Sequence, residues 1–290
     1  MTNSVKLSSP ETREFWEIPI LFEDEHLLAL NKPPLLRLSP DRADPRLPSL
    51  IALLHRGIQR GAPWAADRHL QYLMHAHRLD SEIGGVIMLA KSKPVLVALA
   101  NLFGSAQVTL RYLALVQGNP AQDSGVIEAK LAPAFTGSPV SAVGPAPSLP
   151  GNSRVVSAVD FGALLRVDPR KGKRSKTEFE VRERFAKHAL LECRPFTHRP
   201  HQIRAHLRHL GFPIAGDSNY GGGLVLLSQL KPDYRLKPKK TERPLISTPA
   251  IYAEELILPH PVTGAALNIA APCPKDLAVA LKYLRRYALS

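Results

Sequence analysis

The sequence predicts a fold of the mixed helix-and-strand class, because hairpin-like pairs of strands and amphipathic helices follow one another along the chain. Residues 17–22 and 27–31 are short β-type runs on either side of a turn, and the two prolines that follow prevent the second run from continuing as a central strand. Residues 177–185 and 188–194 predict a second hairpin. With 290 residues, of which 44% are hydrophobic, the chain can bury a sizeable core.

Helices are predicted where capping residues flank apolar runs. Ser92 can cap a helix that begins near Pro94 and ends near Gly104, since proline is favoured in a first helical turn and glycine at a helix end. Two more helices are predicted, a short one at 50–56 and a closing one from Pro274 through Leu284. Strands are predicted at 86–90, 108–116 and 251–258.

A further helix is predicted over residues 200–211, with proline in its first turn and glycine at its end. Helical spacing turns three of its apolar side chains toward the interior, namely Ile203, Leu207 and Leu210. Arg204 and Arg208 share a different face of the same helix.

The chain shows no internal repeat and no boundary between two independent cores, so we expect one domain over residues 1–290. Residues 1–16 are polar and are expected to be a flexible N-terminal segment. Residues 133–153 are rich in proline, serine, glycine and alanine without periodicity, which is typical of a flexible insertion.

The charge balance points to a polyanionic partner. Lysine and arginine number 38 against 25 acidic residues, which gives a formal net charge of +13. Two basic runs, at 166–176 and 231–243, concentrate this charge. The alternative is a basic soluble protein whose charge serves no polyanionic partner.

Cys193 and Cys273 are the only cysteines, too few for a disulfide framework, and no CxxC pair offers a zinc site. No signal-peptide core and no apolar run of membrane-spanning length is present. We therefore expect a cytoplasmic protein that makes no use of a membrane.

Two distant stretches carry the most specific pattern. Residues 77–91 read HRLDSEIGGVIMLAK, and residues 194–204 read RPFTHRPHQIR, followed by GFPIAGD at 211–217 and YG at 220–221. Together they resemble the RluA-type family of RNA pseudouridine synthases, whose signatures read roughly HRLDxxTSG, TGRxHQIR and GxPIxGDxxYG. Shorter matches agree in order: NKP at 31–33, RYLALVQG at 111–118 and HPVTG at 260–264.

The resemblance implies an α+β fold: a single pseudouridine-synthase-like catalytic domain whose mixed, largely antiparallel central sheet is flanked by helices and loops. It implies isomerisation of specific uridines in structured RNA, either rRNA or tRNA, without an organic cofactor. We expect no appended S4-type domain of the kind found in some relatives, because no compact module precedes the first signature. We expect a monomer.

Asp80 is the expected nucleophile. Moving uracil from an N-glycosidic to a C-glycosidic bond needs one carboxylate that attacks the sugar C1′, attacks the base or stabilises the cleaved intermediate. A glycoside hydrolase usually needs two carboxylates, and only Glu82 lies near in sequence. In an extended segment Glu82 would point the same way as Asp80 without facing a common substrate, which weakly favours isomerisation.

Other site residues follow from the resemblance. The family pairs an arginine of the HQIR helix with the catalytic aspartate, which implies a pairing of Arg204 with Asp80 that keeps the carboxylate ionised. Tyr112 occupies the third motif and is expected to stack on the uracil ring, a safer role than removal of the C5 proton. The remaining expectations are a flipping or positioning role for Arg78, pocket walls from Leu79 and Ile203, and RNA contacts from Lys173, Arg199, His201 and Arg208.

Seven of the eleven histidines flank the two signatures, so a metal centre is an alternative. No HExxH or carboxylate-paired ligand helix is present, and the two motifs account for the spacing. We expect no metal, and we expect these histidines to support neighbouring groups and phosphates.

The sequence departs from the family pattern close to the expected site. Ile83 and Gly84 stand where the family usually has Thr-Ser, and His198 and Pro200 replace small residues of the TGRxH turn. Two alternatives therefore stay open: a catalytically silent RNA-binding or RNA-remodelling protein of this fold, and a hydrolase that uses Asp80 with Glu82.

Overall fold

A computed structural model describes residues 3–41, 44–134, 164–236 and 241–289. Its elements, in chain order, are β1 (Ser4–Ser9), β2 (Glu14–Glu23), β3 (Leu27–Lys32), α1 (Leu50–Gln59), α2 (Pro63–Ala66), β4 (Met74–His75), β5 (Gly84–Ala90), α3 (Lys93–Gly104), β6 (Thr109–Gln117), β7 (Ser124–Pro133), β8 (Leu165–Val167), β9 (Lys173–Arg184), β10 (His188–Pro195), α4 (Gln202–His209), a 3-10 turn (Ser218–Tyr220), α5 (Leu227–Leu230), β11 (Ile251–Pro259), β12 (Ala266–Ala270) and α6 (Lys275–Tyr287).

The chain divides into two compact units. Unit 1 contains Met1–Tyr112 and Tyr252–Cys273, and unit 2 contains Leu113–Ile251 and Pro274–Ser290. The chain passes from unit 1 to unit 2 inside β6. The single domain over residues 1–290 stays a prediction.

Unit 1 contains strands in the order β1-β2-β3-β5-β11, with β12 beside β11 and β4 beside β5. Strand β5 is parallel to β11, and the other pairings whose register is defined in this unit are antiparallel. Every residue of β5 is buried, so this strand has both faces covered, as expected from its unbroken apolar run. The predicted α+β class with a mixed, largely antiparallel sheet is thereby confirmed.

Strand β1 corrects the expectation of a flexible segment over residues 1–16. Ser4–Ser9 pairs with Glu14–Pro19 of β2, and Val5 and Leu7 are buried. The alternation of apolar and polar residues in β1 buries one face of the strand. That burial offsets the entropy lost on ordering the segment.

Unit 2 contains strands in the order β6-β10-β9-β7-β8. Strands β7, β8 and β9 pair antiparallel, as do β9 and β10. Helix α4 packs on this sheet through a small cluster around Leu131, Ala205 and Tyr220. Of the predicted insertion over residues 133–153, only Pro133, which ends β7, and Ala134 lie among the described residues.

The helix predicted over residues 200–211 is shorter in the structure. Ile203 and Leu207 are buried as expected, but Leu210 is 38% exposed because α4 ends at His209 and its stripe ends with it. Arg204, assigned to a different face, is itself buried.

Candidate active site

Asp80 lies in the loop between β4 and β5 of unit 1. Its carbonyl oxygen accepts a hydrogen bond from the Ile83 backbone N–H at 3.1 Å, which closes a turn through Ser81 and Glu82. Asp80 is half-buried, Leu79 is buried and Arg78 is exposed. The loop therefore presents the Asp80 carboxylate at the protein surface and fixes its backbone with a turn.

Glu82 does not continue an extended segment, contrary to our expectation. The turn after Asp80 buries Glu82, whose Oε2 accepts a hydrogen bond from the Ser81 hydroxyl at 2.8 Å. A buried carboxylate with a local donor is a poor second partner for a substrate-bound water.

Lys32, at the end of β3, anchors the loop that contains Asp80. Its ammonium donates to the carbonyl oxygens of Pro33, Leu36 and Ser81 at 3.0, 2.7 and 3.2 Å. Burial lowers the pKa of Lys32 to about 7, while the charges of Asp80 and Glu82 act in the opposite direction. Sequence reasoning missed this role, although the NKP match placed Lys32 in a motif.

Tyr112 is buried in β6 at the end of unit 1. Burial raises the pKa of its hydroxyl, and the negative charge of Asp80 raises that pKa further. The two side chains that the resemblance assigned to one site thus share an electrostatic environment within one unit. The Tyr112 hydroxyl is therefore protonated at neutral pH, and the side chain is uncharged.

His77 of the first signature and His75 just before it form hydrogen bonds that fix the local backbone. Nε2 of His77 accepts a hydrogen bond from the Met88 backbone N–H at 3.0 Å, and the His77 ring stacks on Phe103 with centroids 5.2 Å apart. Nδ1 of His75 lies 3.0 Å from the His77 carbonyl oxygen, and its Nε2 lies 3.1 Å from the Ser39 hydroxyl. Both rings support the segment that leads to Asp80.

Helix α4 of unit 2 carries the second signature. Nε and Nη2 of Arg204 donate to Oδ2 and Oδ1 of Asp217 at 2.7 and 2.8 Å, and both side chains are buried. The Arg204 guanidinium carbon also lies 5.0 Å from the centre of the Tyr220 ring. The GDxxYG match therefore fixes the plane of Arg204; its pairing with Asp80 stays a prediction.

His201 precedes α4 in the left-handed conformation, with φ of 53°. Its Nδ1 lies 3.1 Å from the Tyr220 hydroxyl, whose oxygen accepts a hydrogen bond from the Leu165 backbone N–H at 2.9 Å. Nη1 of Arg208 donates to the Tyr220 carbonyl oxygen at 2.8 Å. Two residues that we expected to touch RNA thus hold Tyr220, and His201 is buried.

Gln202 is a residue whose role we did not foresee. Its Oε1 accepts from the Thr197 hydroxyl at 2.7 Å and from the Arg199 backbone N–H at 3.2 Å. Its Nε2 donates to the Lys176 carbonyl oxygen at 3.0 Å and to the Thr177 hydroxyl at 2.9 Å. One buried amide thereby joins β9, the turn after β10 and the start of α4.

The remaining expected residues lie on the surface or close to it. Lys173 is exposed at the start of β9, Arg199 is half-buried and Ile203 is buried. The first basic run lies on β8, β9 and their connection, whereas residues 237–240 of the second run lie outside the described ranges. The described residues include no group of three or more histidine, cysteine or acidic side chains arranged to hold a metal ion.

None of the helices in the described ranges is both long and apolar enough to span a membrane.

The comparisons with known proteins agree with this geometry. The sequence profile of the family described as RNA pseudouridylate synthase matches residues 26–209. Ribosomal large subunit pseudouridine synthase D of Xylella fastidiosa is 32% identical, over 92% of this chain and 70% of that protein. Ribosomal large subunit pseudouridine synthase C of Salmonella typhi is 30% identical, over 93% of this chain and 70% of that protein.

The solved structure of human RNA Pseudouridylate Synthase Domain Containing 4 has a similar fold, with a TM-score of 0.62 and 22% identity over 92% of each chain. The profile covers more than half of the chain, including Asp80, Tyr112 and Arg204. The chain therefore belongs to the RluA-type family of RNA pseudouridylate synthases, enzymes that isomerise uridine in RNA to pseudouridine.

Proposed function

We propose that this enzyme modifies specific uridines of ribosomal RNA, with Asp80 as the nucleophile. The observation that carries the nucleophile assignment is the placement of Asp80, a half-buried carboxylate in a loop that the hydrogen bond from Ile83 closes and that Lys32 holds through the Ser81 carbonyl oxygen. Support for rRNA comes from the relatives, which are named as synthases of the large ribosomal subunit. Transfer RNA is the competing substrate class. Action on rRNA also favours a cytoplasmic enzyme, and we propose that it acts as a monomer.

The reaction is an exchange of bonds within one nucleotide. The bond between C1′ and N1 breaks while Asp80 attacks C1′, attacks the base or stabilises the cleaved intermediate. The uracil then turns, C1′ bonds to C5, and the proton lost from C5 is balanced by one gained at N1. The product is an isomer of the substrate, so no oxidant or cofactor takes part.

Arg204 is proposed to be the partner that keeps the Asp80 carboxylate ionised. Within its own unit, Nε and Nη2 of Arg204 are held by Asp217. Tyr112 is proposed to stack on the uracil, with Leu79 and Ile203 excluding water from the intermediate. Arg78 is exposed beside Asp80 and is proposed to position the RNA when the target nucleotide leaves the stack, at a cost of a few kcal/mol.

Roles in RNA binding away from the reacting base are proposed for Lys173, Arg199, His201 and Arg208. Charge supports the roles of Lys173 and Arg199 in particular. His201 and Arg208 would act through the turn that ends at Tyr220, since both bond to that residue.

The experiment is pseudouridine mapping by carbodiimide adducts and reverse-transcription stops, on total RNA from cells with and without this gene. Complementation uses the wild type, Asp80→Ala and Asp80→Asn, with Asp123→Asn as a control because the Asp123 side chain is 93% exposed. We expect one or a few rRNA stops to vanish without the gene and to return with the wild type and D123N only. Stops in tRNA would reassign the substrate, and retained turnover in D80N would refute the nucleophile.

Two alternatives have distinct outcomes in the same design. A catalytically silent RNA-binding protein, suggested by the altered turn at Ile83 and Gly84, would bind RNA and leave the map unchanged. A hydrolase would release free uracil and leave an abasic ribose, and the burial of Glu82 argues against it.

A further inference from the structure

Phe196 is an exposed aromatic side chain beside the second signature. It directly follows β10, and 51% of its surface is exposed. Exposure of a phenylalanine side chain is unfavourable, because its apolar surface stays in contact with water. The backbone around it is nevertheless firmly held: the Phe196 N–H donates to the Lys176 carbonyl oxygen at 2.9 Å, and the Lys176 N–H donates to the Thr197 hydroxyl at 3.1 Å.

The ring has a cation beside it. The Lys176 ammonium lies 5.1 Å from the centre of the Phe196 ring, within the range of a cation–π contact. The same ammonium lies 3.7 Å from Glu128 and 3.8 Å from Glu178. Lys176 is thus shared between two carboxylates and the ring, while about half of the Phe196 surface stays exposed to solvent.

Register places further cations on the same side of the sheet. Lys130 of β7 pairs with Arg174 of β9, two positions from the pair of Glu128 with Lys176. Because side chains alternate along a strand, these four residues share one face, and the hydrogen bond of Phe196 to Lys176 places Phe196 at its edge. We call the set Lys130, Arg174, Lys176 and Phe196 the Phe196 strip.

Two like charges stand directly opposite each other in this strip. Lys130 and Arg174 are both exposed, and neither forms an ion pair with another of the described residues. Facing cations destabilise an antiparallel pair unless an anion lies between them. A phosphate of a nucleic acid would supply that anion, and the base of an adjoining nucleotide would reach an aromatic ring nearby.

We propose that the Phe196 strip binds a single-stranded part of the RNA substrate, with one base stacked on Phe196 and the adjoining phosphate held by Lys130 and Arg174. The inference rests on the proposed function for the identity of the RNA. The mixture of an isolated ring with cations favours RNA over a protein partner, since a protein interface would need a larger apolar patch. The stacked base lies outside the reacting nucleotide, so the strip acts on affinity and on target choice.

The test measures binding without turnover. Fluorescence anisotropy with a fluorescein-labelled 12-mer of oligouridylate gives Kd for the wild type, Phe196→Ala, Phe196→Leu and Phe196→Trp. Loss of base–aromatic stacking typically weakens binding about 5- to 150-fold, so F196A and F196L should both fall in that range while F196W binds like the wild type. Phe15→Ala is the matched control, because Phe15 is a strand residue of unit 1 with 62% exposure and should leave Kd unchanged.

Salt dependence separates stacking from phosphate contacts. The double variant Lys130→Gln/Arg174→Gln, which removes both cations from that phosphate, should reduce the slope of log K against log salt by about 0.7, the value per phosphate on a single strand. F196A should leave the slope unchanged. Thermal unfolding of each variant checks that the fold is intact, and F196L repeats the test if F196A unfolds.

Equal Kd values for the wild type, F196A and F196L overturn the proposal, as does a wild type that does not bind the 12-mer. A loss confined to F196A, with F196L unchanged, shows an apolar contact and overturns stacking. These results are independent of the mapping experiment, which reports turnover. An unchanged Kd in F196A beside a normal pseudouridine map refutes only the strip, and a raised Kd in F196A beside an unchanged map refutes only the proposed function.

Discussion

Arg204 and Asp217 form a bidentate ion pair in which both side chains are only 1% exposed. Removing one charge from such a pair leaves the other buried without compensation, which typically costs about 3–5 kcal/mol. We therefore expect Asp217→Asn to lower the free energy of unfolding by about that amount and to reduce turnover as well. Urea unfolding measures the first effect. Asp123→Asn, at an exposed carboxylate, should change neither quantity; an equally small effect in D217N would mean that the pair is not structural.

Lys32 gives the enzyme a pH-dependent stability whose sign can be stated. The folded pKa is about 7 and the ordinary value is 10.5, so between these values the unfolded chain binds more protons than the folded one. Stability from this group is therefore lowest below pH 7 and increases as the pH rises toward 10.5, by no more than about 5 kcal/mol.

The variant Lys32→Met removes that titration. Urea unfolding of both proteins from pH 6 to pH 10.5 should show the wild type gaining stability relative to K32M as the pH rises. Parallel curves would mean that Lys32 titrates at its ordinary value in the folded protein. The three carbonyl oxygens lose their donor at every pH, which adds a constant offset and no slope.

Gly85 is required by two features at once. Its φ is +116°, and a Cβ at this position would lie 2.1 Å from the Ala253 carbonyl oxygen of β11. Gly85→Ala should therefore lower the free energy of unfolding by about 3 kcal/mol or more, measured by urea unfolding. Gly104→Ala is the matched control: a Cβ there meets no atom within 4 Å at the end of α3, so it should have no cost or a small benefit. Similar stabilities for the two variants would contradict this reading.

Thr177 links two buried side chains of α4, Gln202 and His206. Its hydroxyl accepts from Nε2 of Gln202 at 2.9 Å and lies 3.0 Å from Nδ1 of His206. Thr177→Val keeps the shape and removes the hydroxyl, so we expect a loss of about 1–3 kcal/mol in unfolding free energy. Ser175→Ala, two positions earlier and outside the Gln202 network, should cost less. The prediction is wrong if T177V unfolds like the wild type.

The elements that could be predicted are those whose signals are local. Ser92 caps α3 through the Val95 N–H, and the apolar run of β5 is buried throughout, as the sequence indicated. Strand β7 was missed because its pairing with β9 joins segments about 50 residues apart, and its own composition is mixed. The start of α4 was placed too early, since the left-handed conformation of His201 depends on a contact with Tyr220.

The candidate site shows the same division. Asp80, Tyr112 and Arg204 could be predicted because each stands in a motif that can be read along the chain, and their roles stay predictions. The three carbonyl oxygens around Lys32 come from three different positions, and only the folded loop brings them to one ammonium. The bonds of Gln202 likewise depend on the register of β9 against β10, and no local pattern encodes that register.

The parallel pairing of β5 with β11 also decides the order in which this protein can fold. Tyr252 lies opposite Gly84, and His260 bonds to Asp24 across 236 positions of sequence. Unit 1 therefore cannot complete its sheet until the ribosome has synthesised β11 and β12, residues 251–270, whereas most of unit 2 is already available by then. Pairings of such high sequence separation form slowly, so the partner edge of β5 is exposed during synthesis.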